Sequence, residues 1–404
     1  MLKKSYKTYN ITLIKNLRVS VSVKKKITYW AFVDVKWKHI AKEYYFILVN
    51  SGIEIVSKSS RIIKKKEFGQ FYTVNCDYIF KGMSIPNNID LIIEPFGGSG
   101  ELLKWILNKT AISVESYDLL PKFDGIIKRD VFRDVPIYKN KFVITNPPYL
   151  AKNKAQNKSI FDLYDVDDLY KCFISHLLND PCLGGILIVP LNFFCSFRKK
   201  DLNLRKLFLE LYEIILINIF EEAVFPDTSY TVCSFMFKKK STFLEIPTKT
   251  CMFPSNIFFE IFLNNENYYS FSGNILDLPK NKNFTIERLT KLNFPSEYAT
   301  NILVQCIDNK IKKINASLVN NEWIYVDNTK NKSARSYLSL LIKPKVSLAT
   351  QKKLVTLFNS FLNEKRKEFF SLFLSQYREL ERKRISFKLV YNIFSYLLKN
   401  CLEV

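Results

Sequence analysis

Two short stretches of this chain carry residue types that could do chemistry. The first is Asn146-Pro147-Pro148-Tyr149, which follows the apolar run Phe142-Val143-Ile144-Thr145. That run, aromatic and β-branched, reads as the end of a buried strand. Two prolines cannot continue a ladder, and Pro147 holds Asn146 extended. The product is a stiff loop at a strand's carboxyl end, where open α/β sheets bind ligands. It offers an amide oxygen, a free prolyl carbonyl and an aromatic face. Taken alone, it is equally consistent with a plain strand-to-loop turn bearing an exposed tyrosine.

The second stretch is Glu94-Pro95-Phe96-Gly97-Gly98-Ser99-Gly100, between the apolar Leu91-Ile92-Ile93 and Glu101-Leu102-Leu103. It reads as strand, Gly-rich turn, helix. Its glycines permit positive φ and close backbone approach. The helix amino terminus would aim N–H groups at a negative ligand group. The spacing is not G-x-G-x-x-G, and no Lys-Ser/Thr follows, which excludes the dinucleotide fingerprint and the P-loop. Glu94 at the strand tip would repel phosphate and suit a cation. A ligand with an ammonium, a sulfonium and a ribose meets these conditions: S-adenosylmethionine. With nothing bound, the same residues make a tight strand–helix turn.

Together the two stretches resemble the S-adenosylmethionine-dependent amino methyltransferases. The likeness is to the N6-adenine DNA methyltransferases of restriction–modification systems in the gamma arrangement, with cofactor motif first, NPPY second and target recognition last. The resemblance implies an α/β fold with a seven-stranded Rossmann-like sheet and a C-terminal α+β target recognition domain. It implies cofactor contacts from Thr73, in Phe68-Gly69-Gln70-Phe71-Tyr72-Thr73, and from Glu94, Pro95, Phe96, Gly97, Gly98 and Gly100. Asp118, at the tip of a second strand, matches the acid that accepts from ribose hydroxyls, with Glu115 the alternative. Asp130, ending a third strand, matches the acceptor for the cofactor's adenine amino group. Catalysis would fall to Asn146, Pro147, Pro148 and Tyr149. The Asn146 side-chain oxygen and the Pro147 carbonyl would each accept an N–H of the target amine. That favours a pyramidal nitrogen with its lone pair aimed at the methyl group. A duplex adenine must be flipped out to reach such a loop. Tyr149 and Phe225, or Tyr230 in place of Phe225, would hold the extruded ring.

The elements that must position these groups are legible at coarse grain. Residues 111–118 and 126–132 read as further strands, 184–190 as a central one, and 213–220 with 231–237 as a late hairpin. Residues 165–178 and 196–211 have helical spacing. The polar, cationic segment 150–158 reads as a mobile loop near the active tip. Beyond residue 240 the pattern changes to short strand-like runs, a basic loop at 327–335, and amphipathic helices at 350–374 and 384–398. These features divide the chain into a basic N-terminal extension (1–66), a methyltransferase domain (67–240) and a recognition domain (241–404).

Composition bounds the rest. The 404 residues are 48% hydrophobic, enough for real cores, and carry a formal charge of +23. Sixteen Lys and Arg against four acids lie in residues 1–67, a local charge of +12. That segment, laced with Trp30, Trp37, Tyr44 and Tyr45, reads as a nucleic-acid-binding extension, a poorly ordered one, or a small strand-rich cap. The surplus of cations points to a polyanionic partner; the resemblance implies that this is double-stranded DNA. Abundant Lys and Asn also reflect an AT-rich coding bias. Eight cysteines without a C-x-x-C, and only two histidines, argue against a structural metal. The thiols read as buried and reduced. No apolar run has the length of a membrane span or a signal core. The expectation is therefore a cytoplasmic enzyme, or a viral one acting in the host compartment of viral DNA, working beside a cognate restriction endonuclease. An RNA adenine or guanine amino methyltransferase, and a non-catalytic DNA-binding module with a decayed catalytic half, remain the alternatives.

Overall fold

The computed structural model describes three strands within residues 1–70, then Thr73 and residues 75–402 apart from 74, 226–229, 242–243, 310, 328–335 and 377–381. The lysine runs at 24–26 and 64–66, the segment 68–72 and the basic loop at 328–335 lie outside the described residues. The chain divides into two compact units, Met1–Gln70 and Phe71–Val404. In the first, β1 (Ile14–Val21), β2 (Ile27–Val33) and β3 (Lys36–Ile40) form an antiparallel sheet in sequence order.

The second unit is built on a large mixed sheet. Its strands are β4 (Leu91–Glu94), β5 (Ser113–Asp118), β6 (Ile126–Lys128), β7 (Phe142–Thr145), β8 (Gly184–Pro190), β9 (Tyr212–Phe220), β10 (Val232–Lys239), β11 (Thr248–Phe253) and β12 (Ile257–Ile261). Their order is β12-β11-β9-β10-β8-β7-β4-β5-β6. Strands β6, β5, β4, β7 and β8 run parallel, and β10 is antiparallel to both β8 and β9. The sheet thus holds the run of parallel strands with a late hairpin that the sequence suggests. Nine strands are found where seven are expected, because β11 and β12 add to the β9 edge. They lie beyond residue 240, so the sheet continues past that position.

Strand composition explains this centre. β7 and β8 are buried along their whole length. Two-sided burial is what a parallel sheet covered by helices demands. Gly184 and Gly185 are fixed by the same crowding. A Cβ on Gly185 would stand 2.3 Å from the Val143 carbonyl oxygen, and one on Gly184 2.6 Å from that of Phe237. The covering helices include α1 (Cys76–Ile79), α2 (Glu101–Lys109), α3 (Ser159–Leu163), α4 (Leu169–Asn179), α5 (Asn192–Cys195) and α6 (Lys199–Leu211). The α4–α6 contact holds a buried ion pair, Lys171 with Asp201, extended by Asp167 and Arg198. Six of the seven described cysteines are buried and all seven are free thiols.

A separate core follows. β13 (Thr285–Arg288), β14 (Ala299–Gln305), β15 (Asn315–Leu318) and β16 (Tyr337–Lys343) form an antiparallel sheet in the order β13-β16-β14-β15. Helices α7 (Leu348–Glu368) and α8 (Phe387–Leu402) pack on it through Leu354, Phe358, Ile393 and Phe394. Ser347 caps α7 by accepting from the Thr350 N–H at 3.1 Å. A hairpin of β17 (Ser375–Gln376) and β18 (Lys383–Arg384) joins the two helices. It meets the large sheet at Asn192, whose amide donates to the Gln376 carbonyl at 2.6 Å and accepts from its N–H at 2.8 Å.

Candidate active site

Strand order reverses between β4 and β7: the chain winds outward from β4 to β5 and β6, then returns to place β7 on the other side of β4. At such a switch point the two following loops part and leave a crevice at the carboxyl ends of the strands. The loop after β4 is the Gly-rich turn, and the loop after β7 is NPPY. Asp118 ends β5 and Asp130 follows β6, so Asp130, Asp118, Glu94 and Asn146 succeed one another along one sheet edge.

Glu94 is fully buried. Its Oε2 accepts from the Ser116 hydroxyl at 2.9 Å, while Oε1 is buried without a hydrogen-bond partner. Burial pushes its pKa up to about 8, with Asp118 adding to the rise and Ser116 opposing it. A buried carboxyl with one idle oxygen is incomplete until a donor or cation reaches it.

The turn itself is held by Asp118. One carboxylate oxygen accepts from Gly98 N–H at 2.9 Å and the other from Leu120 N–H at 2.7 Å. Gly97 N–H donates to the Tyr117 carbonyl at 2.8 Å. Gly98 and Gly100 have φ of +55° and +83°. A Cβ on Gly97 would stand 2.5 Å from Ser116 Oγ, and one on Gly100 2.5 Å from the Phe123 ring. These two glycines are therefore required by the protein's own packing. Gly100 is also the N-cap of α2 and brings no side-chain cap, so the first N–H groups of that helix keep their donors. Pro95 is buried, and Phe96 packs on Phe132 and Phe173 at 5.4 and 5.2 Å between ring centroids. Asp130 accepts from Phe132 N–H at 3.2 Å and pairs with Arg133 at 3.4 Å. Glu115, the alternative to Asp118, is tied to Lys141 at 2.6 Å.

Asn146 is held at both ends of its amide. Nδ2 donates to Thr73 Oγ1 at 3.2 Å, and Oδ1 accepts from the Tyr149 hydroxyl at 2.6 Å. The same hydroxyl lies 2.9 Å from the Ile188 carbonyl on β8. Tyr149 is only 1% exposed, and its ring meets Tyr170 and Tyr230 edge to face at 6.1 and 5.9 Å. Tyr230, the alternative to Phe225, is thus the residue in ring contact with Tyr149; Phe225 is 2% exposed in the core.

One group went unread in the sequence. Asp168 stands at the N-cap of α4, and residue 168 bridges Ala151, two residues past Tyr149. Its Oδ1 is buried without a partner. Burial raises its pKa to about 7 against the pull of Lys171, and its charge bears on Tyr149, Tyr170 and Tyr230. In sequence an Asp before a helical run signals a cap. Nothing local says that its charge bears on three tyrosines.

The sequence matches no protein-family model and no curated protein. Its structural neighbours, at low identity, are restriction–modification methyltransferases and S-adenosylmethionine-dependent methyltransferases. One is a modification subunit of a putative type I restriction enzyme from Vibrio vulnificus YJ016, with 14% identity, 54% of each chain covered and a TM-score of 0.36. Another is a putative class I S-adenosylmethionine-dependent methyltransferase from Listeria monocytogenes, with 14% identity, 44% of this chain and 61% of that one covered, and a TM-score of 0.32. A type IIL restriction–modification enzyme solved with DNA gives 12% identity, covers 66% of this chain and 52% of its own, and has a TM-score of 0.37. This chain spans between about half and three fifths of the length of these neighbours.

Proposed function

We propose that this chain is an S-adenosylmethionine-dependent DNA methyltransferase acting on the N6 amino group of a flipped-out adenine, as the modification arm of a restriction–modification system. The single observation that carries the reading is the placement of the two motif loops at the ends of the neighbouring strands β4 and β7, with Asn146 fixed at both ends of its amide. The residues along the sheet edge suit the cofactor. The idle Glu94 Oε1 offers a buried acceptor to its cationic end. Asp118 keeps a second lone pair on each oxygen for ribose hydroxyls. Asp130, Thr73 and the backbone of Gly97, Gly98 and Gly100 complete the proposed contacts, with Pro95 and Phe96 shaping the turn. When bound, the cofactor supplies an electrophilic methyl group.

The chain's own part is to make a poor nucleophile react. An exocyclic amine has its lone pair delocalised into the base. Asn146 Oδ1 and the Pro147 carbonyl would accept its two N–H groups and draw the nitrogen toward tetrahedral geometry. They would also stabilise the positive charge that develops there. The amide cannot rotate away, because Thr73 and Tyr149 fix it, so little reorganisation accompanies the step. Tyr149 thus acts on Asn146 through its hydroxyl. Stacking of the base on Tyr149 requires its ring to turn out of the Tyr170–Tyr230 pocket when DNA binds, and Phe225 would have to leave the core likewise.

The test is methyl transfer from labelled S-adenosylmethionine to duplex DNA, with the product nucleoside identified. Asn146→Ala should lower the single-turnover rate by more than ~100-fold, as loss of an oxyanion-type contact does. Cofactor and DNA affinity should stay near wild type, since phosphate contacts dominate the latter. Transfer at the wild-type rate by Asn146→Ala, or a labelled product other than N6-methyladenine, would refute the assignment.

A further inference from the structure

At the carboxyl end of the large sheet, on the β8–β9–β11 side, a cavity of about 460 Å3 separates the sheet from the C-terminal core. The sheet side carries the apolar Ile219, Phe220 and Met252, with Glu221 just past the end of β9. The facing side carries three cations, Lys313, Arg366 and Lys383, and one carboxylate, Asp308. Arg366 is already neutralised: its guanidinium donates to the two Asp308 oxygens at 2.8 and 3.1 Å. Lys383 differs. It sits half-buried beside Arg366, and its ammonium makes no hydrogen bond or ion pair among the described residues. Burial and Arg366 push its pKa down, while Asp308, Cys195 and Glu221 oppose them. Asp308 and Glu221 act on the ammonium only at longer range, and without a direct partner its desolvation is a cost to the fold.

The cavity also borders the proposed target pocket. Thr231, which lines it, follows Tyr230, whose ring touches Tyr149. Glu221, also in the lining, precedes Phe225 by one short turn. The Leu191 N–H donates to the Thr231 carbonyl at 2.9 Å and ties the two walls of this corner together.

We propose that this cavity seats one backbone phosphodiester of DNA, next to the nucleotide presented to Asn146, with Lys383 as its charged partner. The assignment rests on the reading of the chain as a DNA amino methyltransferase. A phosphodiester brings the single negative charge that Lys383 lacks, and the apolar floor accepts the deoxyribose beside it. Seating the phosphate there anchors the strand on the hairpin side while the base points to the β7 loop.

Lys383→Met, made in the full chain, keeps the length of the side chain and removes the charge. DNA binding should weaken several-fold at low salt, and the slope of log K against log salt should fall by about 1. Cofactor affinity should not change, and the melting temperature should not fall, because a half-buried charge without a direct partner has been removed. Duplexes carrying one neutral methylphosphonate, walked along each strand, locate the contact. For the wild type one position near the methylated base should weaken binding, and for Lys383→Met that position should have no further effect. Lys383→Arg should retain both the slope and the penalty. An unchanged slope with a persisting penalty in Lys383→Met overturns the seat. So does a Lys383-dependent slope seen with RNA and not with DNA. So does stabilisation of the wild type by inorganic phosphate without any effect of Lys383→Met on DNA binding. Absence of methyl transfer by the wild type sinks the underlying reading; intact transfer with no Lys383 effect sinks only the seat.

Discussion

At the scale of single residues, Glu94 and Tyr149 give the sharpest consequences. Glu94 is buried with a pKa raised to about 8 from an ordinary 4.5, so it is largely neutral at pH 7 in the free protein. A cationic ligand favours the ionised form. S-adenosylmethionine binding should therefore release a proton below about pH 8, and affinity should climb as pH rises from about 6 to 8 and then level off. Glu94→Gln should bind weakly with a flat pH profile, measurable by calorimetry in two buffers of different ionisation enthalpy. The same shift bears on stability. The folded state holds more protons than the unfolded state between the two values. The stabilising contribution is thus complete below about 4.5 and is lost as pH rises through about 8. Glu94→Gln should accordingly melt higher than wild type at pH 9. Tyr149 makes a different point. Its hydroxyl serves Asn146 and sits against the Ile188 carbonyl, and its ring is enclosed. Tyr149→Phe keeps the aromatic face but frees the Asn146 amide. It should lower the transfer rate while leaving DNA affinity near wild type. Full activity in Tyr149→Phe would mean that the hydroxyl has no part in positioning Asn146.

At the scale of elements, the β4–turn–α2 unit is held by backbone geometry more than by side chains. Gly100 combines φ of +83° with a site already filled by Phe123, whereas Gly125 has φ of +89° and no atom nearer than 3.9 Å to an added Cβ. Gly125→Ala should cost only the backbone strain, about 1–2 kcal/mol. Gly100→Ala adds displacement of the Phe123 ring and should be the more destabilising of the two by urea midpoint, with cofactor affinity reduced as well. Equal costs would mean that Phe123 moves freely. Helices α2, α4 and α6 were legible in the sequence and the short α1, α3 and α5 were not, while strands β7 and β8 stood out by their unbroken hydrophobic runs. The edge strands β11 and β12 were not. Thr248–Phe253 and Ile257–Ile261 are short, and residues of the second alternate only between half-buried and exposed. Their place is decided by the open β9 edge, which no local pattern announces.

At the scale of the whole molecule, the C-terminal core is docked on the sheet where β17 pairs with the Asn192 amide. Those two bonds imitate a strand pair and set the cavity that Lys383 lines. Asn192→Ala should destabilise the protein by about 1–3 kcal/mol, since the Gln376 backbone groups lose their partner. It should weaken DNA binding more than cofactor binding, because the Gly-rich turn is on the other side of β7. Equal losses in both affinities would instead indicate general unfolding. The charge of +23 acts over this whole surface, so DNA affinity should fall steeply with salt in every variant that folds.

The sequence by itself determined the chemistry-bearing stretches. Glu94 to Gly100 and Asn146 to Tyr149 are local signals, because a Gly-rich turn and a double proline impose their geometry on the backbone wherever they stand. It also determined the class of architecture, since buried strands alternating with amphipathic helices admit few other packings. Only the tertiary structure decided what those side chains face. Tyr149 reads as an exposed aromatic beside a loop, yet it is enclosed by Tyr170 of α4 and by Tyr230, just before β10 and far along the chain. Asp168 went unmarked within a run of helical spacing, yet its charge bears on the same tyrosines. Lys383 reads as one of many lysines and is set apart by lining a cavity without a direct hydrogen bond or ion pair among the described residues. Burial and pairing are properties of the assembled neighbours, and the spacing of residues along a chain does not contain them.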